Sequence, residues 1–324
     1  MIASFLYNLK MIDYIELIKC LRDGETLNFG HLQLEAEYNG GMKKYYVRGC
    51  RQMEIQYNPQ QQIFKLKGSP LYFIQGHNFT WDKQLFIEAL KYIESLIGIT
   101  LFDCVVDKFE YGKIVEIESK PQRIISGHFA GNGLSMDERS KDRGNIRYFN
   151  DSLVSLKLYN AGINIQHKQG LKMKDIIQQA GWNPKGNFIK FEMLLKKPHI
   201  SLNNGKELKL SDILLPSFEV TLNNELIGQY KRLNKMKSIE MPSTKKELYS
   251  SDIILLTFAE IVLNQDKDPK KLIHTFIKAI PENVLSPEDK KARRKQIKTL
   301  LEKVHSIDIS EFDISENLVK ALEN

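Results

Sequence analysis

Alternating apolar and polar positions dominate the first third of the chain. Between residues 31 and 74 an apolar residue recurs at about every second position, and turn signals stand at Asn39-Gly40-Gly41 and at Asn58-Pro59. This period is typical of half-buried strands, and these short polar sequences favour tight turns. The pattern therefore predicts an antiparallel meander over this region.

A helical period replaces the alternation at about residues 82 to 97. Apolar residues recur there at spacings of three and four, and Gly98 stands where the C-cap of a helix belongs. The charged residues of the segment fall between the apolar positions. The pattern predicts a helix with a single apolar stripe, which must be buried against the apolar face of a sheet.

Further strands are predicted in the middle of the chain, at residues 102–117, 146–149, 153–159 and 188–195, because these segments are rich in β-branched and aromatic residues. The polar, glycine-rich stretch 126–145 predicts a mobile loop between two strands of one sheet. A short helix is expected at 171–181. Together these elements predict an α+β fold, a largely antiparallel sheet backed by the helix at 82–97.

The character of the sequence changes after about residue 207, where it becomes lysine-rich and helix-forming, with a linker at 237–246. We expect a domain over residues 1–236 and a helical C-terminal domain over residues 246–324. Its helices are predicted near 246–263, 269–279 and 287–304. The last of these begins with Ser286-Pro287-Glu288-Asp289, a helix-start signal, and is strongly basic.

The balance of charge favours a polyanionic partner. The 324 residues carry 47 Lys and Arg against 40 Asp and Glu, a formal net charge of +7. The three cysteines are widely spaced, which indicates neither a disulfide framework nor a zinc site. The apolar start of the chain is interrupted by charges, and no apolar run reaches the length of a membrane span, so we expect a cytoplasmic protein without an export signal or membrane association.

Three of the predicted strands carry polar residues in a recognisable serial order. They are VVDKFEYG around Glu110, GNIRYFNDSLVSLKLYN around Tyr148 and Tyr159, and FIKFEMLLKK around Glu192. In order and spacing these segments resemble the motifs of the phage/plasmid replication initiator family, the Rep proteins of rolling-circle plasmids and filamentous phages. The resemblance spans about residues 60–235. It departs from the family pattern at Glu110, where the family usually has Asp, and at Asn160-Ala161, where it commonly has Asp-Lys.

The resemblance implies a replication initiator that binds origin DNA, double-stranded and single-stranded, and nicks and rejoins one strand through a covalent phosphotyrosine. It implies Tyr148 as the nucleophile, Tyr159 as the second tyrosine of the site, and Glu110 and Glu192 as ligands of Mg²⁺ or Mn²⁺. Because no GxxxxGK[ST] phosphate loop occurs in the chain, strand separation is expected to depend on a host helicase. The oligomeric state is left open.

Four basic residues on the same strands are candidates for nucleic-acid contacts: Lys108, Arg147, Lys157 and Lys190. Plainer interpretations stay open at this point. Lys108 and Lys190 each lie two residues from a glutamate on one strand face and are placed for ordinary ion pairs, and a tyrosine in a strand often has only a packing role.

The basic helix near 287–304 either binds phosphates or is merely exposed to solvent. An origin-binding or regulatory protein without nuclease activity is the alternative function, and an unrelated nucleic-acid-binding module is a third.

Overall fold

The structure is a computed structural model, and it describes residues 10–77, 81–137, 144–164, 186–239, 284–305, 309–311 and 313–323, with isolated positions between 258 and 282. The helix predicted at 171–181 lies outside the described residues. Most of the helices predicted at 246–263 and 269–279 lie outside them as well.

The strands and helices follow one another in an order that mixes the two types. The strands are β1 (Lys10–Cys20), β2 (Leu32–Glu37), β3 (Lys43–Val47), β4 (Cys50–Asn58), β5 (Ile63–Gly68), β6 (Val105–Ile117), β7 (His128–Phe129), β8 (Ser135–Met136), β9 (Ile146–Asn150), β10 (Val154–Asn160), β11 (Asn187–Leu195), β12 (Asn234–Lys235), β13 (Lys237–Ile239) and β14 (Ile309–Glu311). The helices are α1 (Pro70–Gln75), α2 (Lys83–Ile97), α3 (Pro121–Ser126), α4 (Pro198–Asn203), α5 (Leu210–Ile213), α6 (Pro216–Lys231), α7 (Pro287–His305) and α8 (Ser315–Glu323).

One large sheet organises the described residues. Its ten strands lie in the order β2-β3-β4-β5-β1-β6-β11-β10-β9-β8, and neighbouring strands pair antiparallel. Two small two-stranded sheets accompany it, β7 with β12 and β13 with β14. The prediction of an α+β fold with one largely antiparallel sheet backed by helices is confirmed.

The central strand β1 was not predicted from the sequence. It lies between β5 and β6, although three charged residues interrupt its apolar alternation. One of them, Lys19, is nearly buried and is held by ion pairs of 2.7 Å to Glu25 and 3.0 Å to Asp103. Because these partners come from other parts of the chain, the pattern of the strand itself does not reveal how its charges are accommodated.

The two faces of the sheet differ in character. Register places Phe109 beside Ile15 and Leu195, and all three are buried. Helix α6 packs on this apolar face, where the ring of Tyr230 lies edge-on to Phe191 with the ring centroids 5.3 Å apart. Since successive side chains of a strand alternate between faces, the intervening residues of β6, β10 and β11 project to the opposite, polar face.

Helix α2 confirms the helix predicted at 82–97. The Asp82 side chain accepts hydrogen bonds from the backbone N–H groups of Gln84 and Leu85 at its start, and Gly98 ends it in the left-handed conformation with φ of 74°. Its apolar stripe is fully buried, as the periodicity indicates: Phe86, Ala89, Leu90, Ile93 and Ile97. Helix α7 likewise confirms the helix predicted at 287–304.

Two local predictions need correction. The last residues of the predicted meander form helix α1, because Ser69 caps its N-terminus and Pro70 suits the first turn. The described part of stretch 126–145, predicted as a mobile loop, contains the short strands β7 and β8, and His128 on β7 is completely buried. Strand β7 pairs with β12 and β8 pairs with β9, and the glycine-rich composition alone does not indicate these pairings.

The chain divides into two compact units. One comprises residues 1–126, 130–234 and 314–324, and the other comprises 127–129 and 235–313. Helix α8 therefore belongs to the first unit, where Ile314, Leu318 and Leu322 are buried and the backbone N–H of Ile314 donates to the Tyr230 hydroxyl at 2.9 Å. The division into domains over residues 1–236 and 246–324 stays a prediction. Within the part of the chain that the structure describes, no helix has the length and apolarity needed to cross a membrane.

Candidate functional site

Three carboxylates meet on the polar face at the centre of the large sheet. Glu110 lies on β6 and Glu192 on β11, where Glu192 is opposite Gly112 and so shares a face with Glu110. Asp13 on β1 completes the group, and one oxygen of each carboxylate lies within 4.8 Å of the others. The two glutamates predicted as metal ligands are thus brought together, with a third carboxylate that the sequence did not identify.

Asp13 reaches this group through an irregularity in β1. Ile12 pairs with Tyr111 and Tyr14 pairs with Glu110, so Asp13 is an extra residue between two consecutive partners on β6. A bulge of this kind re-aims the inserted side chain. The available signal was an acidic residue inside an apolar strand-like run. It was not decisive, because the direction of Asp13 depends on the pairing of β1 with β6.

Two lysines each bridge a pair of these carboxylates. Lys157 on β10 places its Nζ 2.9 Å from Oε1 of Glu110, and it also pairs with Oε2 of Glu192. Lys190 on β11 places its Nζ 2.6 Å from Oε1 of Glu192, and it also pairs with Asp13. The side chain of Lys190 is 3% exposed, whereas that of Lys157 is 27% exposed.

Burial and mutual repulsion separate the acidities of the three carboxylates. Burial, opposed by Lys190 and reinforced by Glu192, raises the pKa of Asp13 to about 8. Burial and the neighbouring Glu192 raise the pKa of Glu110 to about 7 against the attraction of Lys157. Despite its burial, Glu192 has a pKa well below the usual range, because both lysines stabilise its charge. Glu192 is therefore the member of the cluster whose ionised form is most strongly favoured.

The two tyrosines of the predicted site lie on the same face but in different surroundings. The Tyr159 hydroxyl donates to Oε1 of Glu192 at 2.8 Å, and the residue is 8% exposed. Burial and the adjacent carboxylates raise the pKa of Tyr159 well above its ordinary value. Tyr148 on β9 is half-buried and is the cross-strand partner of Lys157. Both tyrosines consequently flank Lys157, and Tyr148 is the more accessible of the two.

The four predicted nucleic-acid contacts are distributed unevenly. Lys157 and Lys190 belong to the carboxylate cluster. Lys108 lies further along the polar face, 3.1 Å from Glu16, so it does not form the ion pair with Glu110 that its spacing allowed. Arg147 is the cross-strand partner of Leu158, which is buried on the opposite face. The structure therefore does not bring Arg147 to the cluster.

The donor set fits a hard divalent cation. Three carboxylates without histidine or cysteine suit Mg²⁺ or Mn²⁺, whose preferred ligands are oxygens. Burial is the main cause of the raised pKa values of Asp13 and Glu110, and repulsion from neighbouring carboxylates adds to it against the attraction of the lysines. A dication would relieve this repulsion, but the ammonium groups already contact the same oxygens. Among the described residues, these three carboxylates form the group that lies close enough together to hold a metal ion.

The chain is similar in structure to the rolling circle replication initiator protein from Geobacillus stearothermophilus, with 11% sequence identity and a TM-score of 0.38. The similarity covers 74% of this chain and 89% of that one. No protein-family model matches the chain, and no curated protein matches it in sequence.

Proposed function

We propose that this protein is a replication initiator that binds an origin and nicks and rejoins one DNA strand through a covalent phosphotyrosine, starting rolling-circle replication of a plasmid or phage. One observation carries the proposal: a single sheet face combines three carboxylates, an accessible lysine and two tyrosines on adjacent strands. This combination holds what the reaction needs, namely a nucleophile on a rigid strand, a cation for phosphate and ligands for a metal. The serial order of the motifs in the sequence agrees with it.

In the proposed reaction, the phenol oxygen of Tyr148 forms a bond to phosphorus while the bond from phosphorus to the 3′ oxygen breaks. The phenol loses its proton and the departing 3′ oxygen gains one, which leaves a free 3′ hydroxyl and a 5′ phosphate esterified to the tyrosine. One ester replaces another, so the strand can be rejoined by the reverse step without a nucleotide cofactor. A divalent cation held by Asp13, Glu110 and Glu192 would polarise the scissile phosphate.

Tyr148 is preferred to Tyr159 as the nucleophile because of their surroundings. Tyr159 is nearly buried, donates its hydroxyl proton to Glu192 and has a strongly raised pKa, all of which disfavour attack on a bulky phosphodiester. Tyr148 is more accessible and lies beside Lys157, whose positive charge attracts a phosphate. In this assignment Tyr159 positions Glu192.

Origin DNA, in double-stranded and single-stranded form, is the proposed partner. Lys157 and Lys108 lie on the polar face with side chains 27% and 36% exposed, which suits contacts to phosphates. Lys190 is enclosed by the carboxylates of Asp13 and Glu192, and its positive charge stabilises them inside the site. The unwinding of the duplex is assigned to a host helicase, since the chain has no phosphate-binding loop for ATP.

The proposal is tested by incubating the protein with supercoiled origin DNA and Mn²⁺ and scoring both nicks and covalent protein–DNA adducts. Tyr148→Phe should abolish the adduct and leave origin binding within a few-fold, because it removes only the nucleophilic oxygen. Tyr159→Phe should slow cleavage and still give an adduct. Tyr92→Phe is the matched control, since Tyr92 is 51% exposed on α2 and should change neither.

Mass spectrometry of the DNA-linked peptide then identifies the modified residue. A peptide modified at any tyrosine other than Tyr148 would overturn the assignment of the nucleophile. Specific origin binding with neither nick nor adduct would favour the alternative, an origin-binding or regulatory protein without nuclease activity. That alternative is supported by the two lysines that already occupy the carboxylate cluster.

A further inference from the structure

The two lysines of the cluster are not equivalent. Lys190 is 3% exposed and is held between Asp13 and Glu192, two residues that are themselves 4% and 2% exposed. Lys157 is held between Glu192 and Glu110, but its side chain is 27% exposed and that of Glu110 is 20% exposed. One lysine side chain is therefore enclosed by protein, and the other is partly exposed to solvent.

The position of the Lys157 ammonium group coincides with that of a cation shared by Glu110 and Glu192. It lies 2.9 Å from Oε1 of Glu110 and in contact with Oε2 of Glu192. These are oxygens that a divalent ion bound to the cluster would need as ligands. An ammonium group and a metal ion cannot both contact the same carboxylate oxygens closely without strong repulsion between like charges.

We propose that Lys157 is an exchangeable internal counterion, which occupies the cation position of the DNA-free protein and turns outward to the DNA phosphate when a divalent ion binds. This inference rests on the proposed function for the identity of the metal site. Lys157 has the freedom for such a movement because a lysine carries its charge on a long flexible stem, and because its side chain is partly exposed. Its cross-strand neighbour is Tyr148, so the released ammonium group remains beside the attacking phenol.

Lys190 stays in place in this exchange. Its removal from Asp13 and Glu192 would leave a buried charge without compensation, which is strongly unfavourable. With Lys190 fixed, the cluster retains one internal positive charge and takes a single divalent ion. The exchange also couples metal binding to phosphate binding, because the same event fills the carboxylate site and frees a cation for DNA.

Mn²⁺ binding to the full-length protein without DNA tests the exchange independently of nicking. Free Mn²⁺ is measured by electron paramagnetic resonance for wild type, Lys157→Met and Lys67→Met. Lys67 is the matched control, because its side chain is also 27% exposed on the same sheet face and is paired with Glu16 outside the cluster. Lys157→Met should bind one Mn²⁺ about tenfold or more tightly than wild type, since the competing charge is gone. Lys67→Met should match wild type.

A second measurement needs no variant. Lysine side chains of the wild-type protein are labelled with acetic anhydride in the presence and absence of Mn²⁺, and each modified residue is quantified by mass spectrometry. Labelling of Lys157 should rise severalfold with Mn²⁺, while Lys67 stays unchanged and Lys190 stays protected in both conditions.

The possible results separate this inference from the proposed function. Equal Mn²⁺ affinity of wild type and Lys157→Met, with unchanged labelling of Lys157, would overturn the exchange and leave the proposed metal site standing. Failure of wild type and both variants to bind Mn²⁺ would overturn the metal site and the exchange together. Increased labelling of Lys190 instead of Lys157 would contradict the assignment of Lys190 as the fixed cation.

Discussion

Gly112 lies directly opposite Glu192 across the ladder between β6 and β11, and a Cβ atom at position 112 would lie 2.7 Å from Cγ of Glu192 and 2.8 Å from the carbonyl oxygen of Phe191. Both distances are far shorter than an ordinary van der Waals contact. The absence of a side chain at Gly112 thus provides the space that the Glu192 side chain occupies at the centre of the cluster.

We predict that Gly112→Ala displaces Glu192 and weakens the site more than it weakens the fold. The free energy of unfolding should fall by about 1–3 kcal/mol, as for other overpacked positions, and Mn²⁺ binding and nicking should be largely lost. Denaturant unfolding and Mn²⁺ titration measure the two effects. Gly228→Ala is the control, because Gly228 has open space around its Cα in α6 and an alanine there should raise stability by up to about 1 kcal/mol. Unimpaired Mn²⁺ binding by Gly112→Ala would contradict the prediction.

Helix α8 should contribute strongly to the stability of the first unit. Leu318 is completely buried where α8 packs against β6 and α6, so Leu318→Ala should lower the free energy of unfolding by about 2–5 kcal/mol. Lys320→Ala on the same helix should have an effect within about 0.5 kcal/mol, because its side chain is 74% exposed. Denaturant unfolding checks both. Equal stabilities of the two variants would show that α8 is not part of the core.

Asp151 should stabilise the fold in a pH-dependent way. Its Oδ1 accepts the backbone N–H groups of Leu153 and Val154 at 2.8 and 2.7 Å, and its Oδ2 lies 2.6 Å from the guanidinium of Arg232. Burial acts to raise the pKa of Asp151, but these donors outweigh it and hold the pKa below its usual value. A carboxyl whose pKa is lowered by folding stabilises the protein above its unfolded pKa, and this contribution is lost as the pH falls through the folded pKa.

We therefore predict that Asp151→Asn lowers the free energy of unfolding by about 1 kcal/mol at pH 7. The difference from wild type should persist down to about pH 5 and shrink below about pH 4, where the carboxyl of the unfolded chain is protonated. Unfolding curves across this range measure it. A difference that grows as the pH falls would have the wrong sign for this mechanism.

Affinity for origin DNA should fall steeply with salt, because lysines on the polar face displace counterions from phosphates. Lys108→Gln and Lys157→Gln should each reduce the slope of log affinity against log salt by about 1, the value for one lost phosphate contact. Lys91→Gln, on the exposed surface of α2, should leave the slope unchanged. Fluorescence anisotropy with labelled DNA gives the slopes, measured at several salt concentrations and a fixed concentration of Mn²⁺, because the proposed exchange frees Lys157 only when a divalent ion is bound. A slope near zero for wild type would contradict a phosphate-dominated interface.

The sequence by itself determined the elements whose patterns are local. Enrichment in β-branched and aromatic residues identified β6, β10 and β11, and helical spacing with a C-cap glycine identified α2. The Lys-Phe-Glu order in both β6 and β11 also indicated that each glutamate shares a polar strand face with its lysine neighbour, since side chains two residues apart on a strand point the same way. Each of these inferences depends on residues only a few positions apart, which is why the sequence sufficed.

Only the tertiary structure decided which distant residues meet. The insertion of β1 between β5 and β6, and the bulge that turns Asp13 to the carboxylates, depend on pairing between segments nearly one hundred residues apart. The same holds for ion pairs: Lys108 takes Glu16 as its partner, and Lys157 takes Glu110, because cross-strand register and not sequence spacing sets the distance between side chains. Strand order and register are properties of the assembled sheet, so no local pattern encodes them.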